Sequence, residues 1–404
     1  MKSAAILAAI IGLTSLAAAA PSKCPPRKGA VYHWPLDWNR LGFIGNYTTG
    51  TPPQNIRAFV DITWIGNYIL TTKCQGAHNI SKCFLPEQSY FNETQSSTFS
   101  YLPEFPSLNW NPNHFFFWED LAADIAKDVV EVGGVKSDTV IQAADFAFMQ
   151  EFPFPFQAVY GLSPVFRNDN ASIMSPFYQA WKQGHWKTPL VGFHYCYPGK
   201  SKKTCQGHDA IKTLGGVDVA RLKSKIRWYD VILAPETNVL DFVYHPTMLN
   251  YWAINLTGFA IGDEQQAINK TLGASAVFDH ASYGRGAPMS ENSYAKLISM
   301  AGATQVTLED PGAVNNGNQT FYEIPCSNKN KLPDIKYWFE GDKKPWIIES
   351  RNYVDEVEGK CVLNVRTLGR GDMIIGNFGE TFSRDKYIAL DFANLKVGLS
   401  DVAW

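Results

Sequence analysis

Phe59-Val60-Asp61-Ile62-Thr63 closes an apolar run on an acid, and Val277-Phe278-Asp279-His280-Ala281-Ser282 does the same far downstream. Each copy is followed by two apolar residues and a glycine, Val159-Tyr160-Gly161 after the first and Ile374-Ile375-Gly376 after the second. A lone Asp after a strand is commonly a turn residue. Two collinear copies argue instead for two similar lobes, each presenting one Asp.

Around these copies the chain reads as β-rich. Short β-branched and aromatic segments alternate with Gly, Pro, Asn and Asp clusters, as in Ile56 to Ile65, Asp128 to Val132, Val191 to Cys196, Ile226 to Leu233 and Tyr387 to Phe392. That alternation is the mark of an all-β architecture. Helical signals are few. One is Ser175 to Gln183, and another is Ser290 to Ala301, with Ser290 as N-cap and Gly302 at the end.

The order of further segments is similar to that of the pepsin-like aspartic peptidases, from about Ile44 to Leu399. Gly50-Thr51-Pro52-Pro53-Gln54 resembles the family's approach to the first catalytic Asp. Asn92 to Phe99 resembles the segment after the first disulfide loop, and Asp128 to Gly134 the strand leaving the flap. Leu214-Gly215-Gly216-Val217-Asp218 resembles the start of the second lobe. Tyr251-Trp252 through Gly258-Phe259-Ala260-Ile261-Gly262 resembles the strands before the second Asp, and Asp391-Phe392 with Val397-Gly398 the closing strand.

The resemblance implies an all-β, bilobal fold with a central cleft and few short helices. It implies one carboxylate from each lobe, Asp61 and Asp279, at the cleft floor. Two carboxylates about 3 Å apart cannot both ionise and share a proton. One then serves as general base on a water and the other as general acid toward the peptide carbonyl. A flap hairpin closes over the substrate and excludes water.

The chain departs from the family where that chemistry would occur. Asp-Thr-Gly is expected twice, but Asp61-Ile62-Thr63 and Asp279-His280-Ala281 stand there. The family threonines clamp the carboxylates across the lobes; Ile62 has no hydroxyl, and His280 would reach differently and could carry charge, favouring the ionised carboxylate. Ala281 is a mild change, whereas Thr63 places a β-branched side chain where glycine leaves room. Ser282 keeps a supporting hydroxyl in the second lobe, and Trp64 loses it in the first. Counting back from Asp128 sets the flap at Phe116, Phe117 and Trp118, without the family's Tyr-Gly-x-Gly. The stretch from Ala20 to Ile44 is also shorter than the family's basic prosegment.

Targeting and composition point outward from the cell. Lys2, the apolar run Ala4 to Ala19 and the small-residue pattern at Ala17 to Ala19 read as a signal peptide. The expected layout is 1–19 signal, 20–40 a short N-terminal segment, 41–195 the first lobe and 196–404 the second. Seven sequons, at Asn46, Asn79, Asn92, Asn170, Asn255, Asn269 and Asn318, suit a glycosylated, extracellular, secreted protein. Close spacing suggests the disulfides Cys74–Cys83, Cys196–Cys205 and Cys326–Cys361, leaving Cys24 over, and the connectivity stays open. The pairing of Cys326 with Cys361 also resembles the family's C-terminal disulfide.

With 45% hydrophobic residues the 404-residue chain can build one large domain or two medium ones. Its net charge of −2 argues against a nucleic-acid partner. No later run reaches the roughly 18 apolar residues of a membrane span, so no stable membrane anchor is expected. The cysteine spacings fit no zinc pattern and there is no His-Glu-x-x-His, so neither metal nor cofactor is expected. The expected partner is a peptide or protein ligand in the cleft of a monomer. Three functions compete. The first is a homologue with impaired or lost endopeptidase activity that binds a peptide. The second is an active acid endopeptidase using Asp61 and Asp279. The third is a carbohydrate or wall-surface binder using Trp110, Phe115, Phe117 and Trp118, against which stands ordinary packing of those aromatics.

Overall fold

A computed structural model describes residues 31–39, 42–76, 90–110, 121–147, 157–166, 169–196, 202–232, 251–268, 275–279, 286–309, 318–365 and 377–404. The strand Gly42–Thr49 turns at Gly50-Thr51-Pro52-Pro53 and returns as Gln54–Asp61, pairing antiparallel from Thr49 with Gln54 to Ile44 with Phe59. Gly50 sits at φ +89°, a backbone setting that favours glycine. Ile56 points inward and Arg57 outward, as on a half-exposed strand; from Ala58 to Asp61 every residue is buried. The change marks where the strand leaves the lobe surface and enters the centre.

Ala158–Gly161 then lies parallel to it, matching Val60 with Tyr160 and Asp61 with Gly161. A Cβ at Gly161 would lie 2.2 Å from the Trp64 carbonyl oxygen and 2.3 Å from that of Gly66, so only glycine fits. The expected strand Ile56 to Ile65 stops at Asp61 because the chain folds back on the acid at Thr63, as described below.

The second lobe repeats this plan. Ala253–Ile261 pairs antiparallel with Ser275–Phe278, which ends against Asp279. The parallel partner is Asn377–Phe378, with Phe278 opposite Phe378 and the Asp279 amide donating to the Phe378 carbonyl at 3.2 Å. The glycine in register with Asp279 is therefore Gly379. The expectation that Ile374-Ile375-Gly376 fills this role is corrected by that register; residues 374–376 lie outside the described set.

A 14-stranded sheet joins the two halves. Tyr32–Asn39 pairs on one side with Gly42–Thr49 and on the other with Ala210–Leu214, Trp34 facing Lys212. Leu190–Tyr195, Lys386–Asp391, Lys396–Asp401 and Arg227–Asp230 follow in order. The helices among the described residues are short: Pro176–Lys182, Glu291–Ala301 and Glu380–Ser383. Both sequence-based helix expectations hold. Ser290 caps the second by accepting from the Ser293 amide at 3.2 Å, and Gly302 ends it at φ +58°. The fold is all-β and bilobal, with a core running through Trp34, Tyr160, Phe177, Trp252 and Phe392.

Candidate active site

Asp61 is 5% exposed and Asp279 is 4% exposed, each at the end of its lobe's buried strand. Their fields converge. Burial lifts the Tyr251 phenol above its ordinary range, and Asp279 and then Asp61 add to it; both also act on Lys212.

Thr63 answers one of the departures. Its amide donates to Asp61 Oδ1 at 2.7 Å and its hydroxyl to the same oxygen at 2.8 Å. The hydroxyl missing at Trp64 is thus supplied one residue earlier. The local pattern is an Asx turn, in which an Asp side chain accepts from the amide two residues on. The sequence reading took Thr63 for crowding and missed the bond; Asp-x-Thr was the available signal. Burial pushes the Asp61 carboxyl up, and the two Thr63 bonds, Lys212 and the Trp64 amide pull it back.

Ile62 is fully buried and belongs to the core. Where the family pattern has a hydroxyl there is only packing. Trp64 stands edge-on to Tyr68 at 5.8 Å between ring centres. A cross-lobe bond occurs elsewhere, from Trp252 Nε1 to the Leu162 carbonyl at 2.7 Å, and Leu162 itself donates its amide to the Asp61 carbonyl.

Sequence reasoning also missed Lys212. It is 1% exposed, in a strand buried along its whole length, and its Nζ donates to the Val60 carbonyl at 2.8 Å. Burial brings its ammonium down to about 7, while Asp61 and Asp279 pull it upward.

Behind Asp279, Gly379 leads into the helix Glu380–Ser383. Arg384, 3% exposed, forks onto Asp355 at 2.7 and 2.9 Å, reaches Glu380 at 3.1 Å and donates to the Asn352 carbonyl at 2.6 Å.

Several expected positions fall outside the described residues: His280, Ala281 and Ser282, the flap positions Phe116, Phe117 and Trp118, Phe115, Cys24, and the partner of Cys74 in the expected Cys74–Cys83 pair. Cys196–Cys205 and Cys326–Cys361 are formed. Asn46 and Asn170 are exposed, and Asn92 and Asn255 are half-buried. Asn79 and Asn269 are outside the description, as are the side chains of Asn318 and Trp110. His194 gathers with Cys196 and Cys205, but the two sulfurs are bonded to each other and offer no thiolate to a metal.

A family model described as eukaryotic aspartyl protease matches residues 42–402. The aspartic protease-like protein pynH of Aspergillus niger is 45% identical over 406 residues, covering 96% of this chain and 98% of that protein. The aspartic protease-like protein pytH of Aspergillus terreus is 46% identical over 416 residues, covering 98% of each. Secreted aspartic protease FUS4 of Gibberella moniliformis is 30% identical over 399 residues, covering 91% and 90%. No helix among the described residues is long and apolar enough to cross a membrane. Paired acids on equivalent strands and a family match over nearly the whole length agree, and the chain belongs to the eukaryotic aspartyl protease family.

Proposed function

We propose that this protein is a secreted, extracellular, monomeric member of the family that holds an extended peptide or protein segment over Asp61 and Asp279 and hydrolyses it poorly or not at all. The supporting observation is Ile62, fully buried beside the first carboxylate. Acid–base catalysis by two carboxylates needs their geometry fixed to a fraction of an ångström, and an aliphatic side chain cannot donate the hydrogen bond that would fix it.

The deciding experiment is turnover of an unfolded protein across the acid range, with Asp61→Asn and Asp279→Asn as controls, alongside calorimetric binding of a statine-type peptide. Binding with no cleavage above the variants is the expected result. Cleavage lost in both variants and blocked by the statine peptide would establish an acid endopeptidase instead. That second reading draws on the paired Thr63 bonds to Asp61, which order one carboxylate well. The carbohydrate-binding reading gains no support, because the side chains of Trp110, Phe115, Phe117 and Trp118 lie outside the described residues.

A further inference from the structure

The strand Ala210–Leu214 is buried at all five positions, and Lys212 is its one charged residue. Its neighbours are apolar: Trp34 faces it on one side and Phe193 on the other. Its Nζ ends on the Val60 carbonyl, the acceptor of the peptide unit that leads into Asp61. The Phe193 ring centre is 5.9 Å from Nζ, at the limit of a cation–π contact.

A buried ammonium is strongly disfavoured unless other groups offset its lost hydration. One carbonyl and one distant ring are a small offset. The larger compensation available is the pair of acids, both of which act on Lys212. Such coupling is reciprocal: what the carboxylates do for the ammonium, the ammonium does for the ionised carboxylates.

We propose that Lys212 is a positioning residue of the acid pair. It pins the Val60–Asp61 peptide through its hydrogen bond and supplies a buried positive charge shared by Asp61 and Asp279. Two carboxylates holding one proton carry a charge of −1; with the Lys212 ammonium the three-residue unit is neutral, and a second proton would make it positive. The pair therefore resists full protonation to a lower pH than two acids alone. This holds whether the site hydrolyses its peptide or only binds it.

The groups around Lys212 are accounted for element by element. The Gln54–Asp61 strand contributes Asp61, and the end of Ser275–Phe278 contributes Asp279. Leu190–Tyr195 contributes Tyr195, whose phenol is held high by burial and then by Glu380 and Asp279. Tyr251 also faces the acids. Glu380 is paired with Arg384. His33 bonds Thr213 and His194 packs on Tyr387; both neighbour the odd-numbered positions, on the other face of the strand.

The test uses an aryl glycidyl ether, which an ionised carboxylate opens. A carbon–oxygen ester bond forms, the epoxide carbon–oxygen bond breaks, and the alkoxide takes a proton from water. Peptide mass spectrometry then reads the adduct at Asp61 and Asp279 against pH. Labelling of the full chain should reach its midpoint at least about one pH unit lower than in Lys212→Met, a tenfold change in proton affinity. Coincident midpoints would overturn the proposal alone, and no labelling at either acid would overturn the pairing of the two carboxylates and the proposal with it. Should Lys212→Met not fold, Asp61→Asn carries the test. In protein labelled at lysine 13Cε, the resonance titrating near neutrality should lose its proton at least about half a unit lower in Asp61→Asn, and an unmoved titration overturns the proposal.

Discussion

Thr63 places a backbone and a hydroxyl donor on one oxygen of Asp61, so the ionised acid meets two donors that ask for no rearrangement. A hydrogen bond to a charged group contributes about 1.5–3 kcal/mol. Thr63→Val keeps the shape and removes one of the two. Asp61 should then hold its proton about one to two pH units higher, read as the same shift in the pH dependence of its epoxide labelling. An unshifted midpoint would mean that the amide alone suffices. His194 is the counter-example, a fully buried group whose neighbours, Asp218 and the Thr204 backbone, offset only part of its lost hydration. Burial brings its imidazole down to about 4 from the ordinary 6.5. The unfolded chain thus binds a proton that the folded one refuses between those values, and stability falls as pH drops through that window. The loss is about 3 kcal/mol, flat below about 4 and absent above about 6.5. Urea unfolding of the full chain and of His194→Leu at pH 7 and pH 4 should show the variant losing less on acidification by that amount.

The helix Glu380–Ser383 shows how a short element is held in place. Four residues cannot sustain a helix alone, and here Arg384 anchors its end. With its guanidinium on Asp355, Glu380 and the Asn352 carbonyl, this segment keeps Gly379 in register behind Asp279. Arg384→Met would take a buried guanidinium away from Asp355 and Glu380 and should cost about 3–5 kcal/mol, measurable as a fall in the urea midpoint. A loss under about 1 kcal/mol would show that the register rests on the strands instead.

Elements of this kind were unevenly legible. Caps at Ser290 and Gly302 are local, so the sequence carries them, whereas the steric need for Gly161 comes from the distant Trp64 and Gly66 carbonyls and was legible only as a glycine after two apolar residues. Gly379 was missed because Ile374-Ile375-Gly376 and Asn377-Phe378-Gly379 both end on glycine after an apolar residue, and only strand register separates them. Lys212 was missed for a different reason. A lysine between Ile211 and Thr213 reads as the solvent side of an alternating strand, and its burial is created by strands distant in sequence. The signal lay in its position, two residues before the Leu214-Gly215-Gly216 motif.

Across the whole molecule, strand pairing makes the two halves of the chain interdependent. Tyr32–Asn39 is bonded to the first lobe through Gly42–Thr49 and to the later chain through Ala210–Leu214. The acid pair therefore sits over a surface that neither lobe builds alone, and its parts arrive from both: Val60 and Asp61 from one, Asp279 from the other, Lys212 from the sheet between. The chain as a whole is nearly balanced, with 36 basic and 38 acidic side chains, and most of these lie outside the core. Mobile salt screens such exterior charges over about 8–10 Å at physiological strength. Ions do not enter a strand buried along its full length, so Lys212 is an electrode on the dry side of that screen. The proton balance of the two acids is then set by the fold itself and should stay the same in dilute and in concentrated salt.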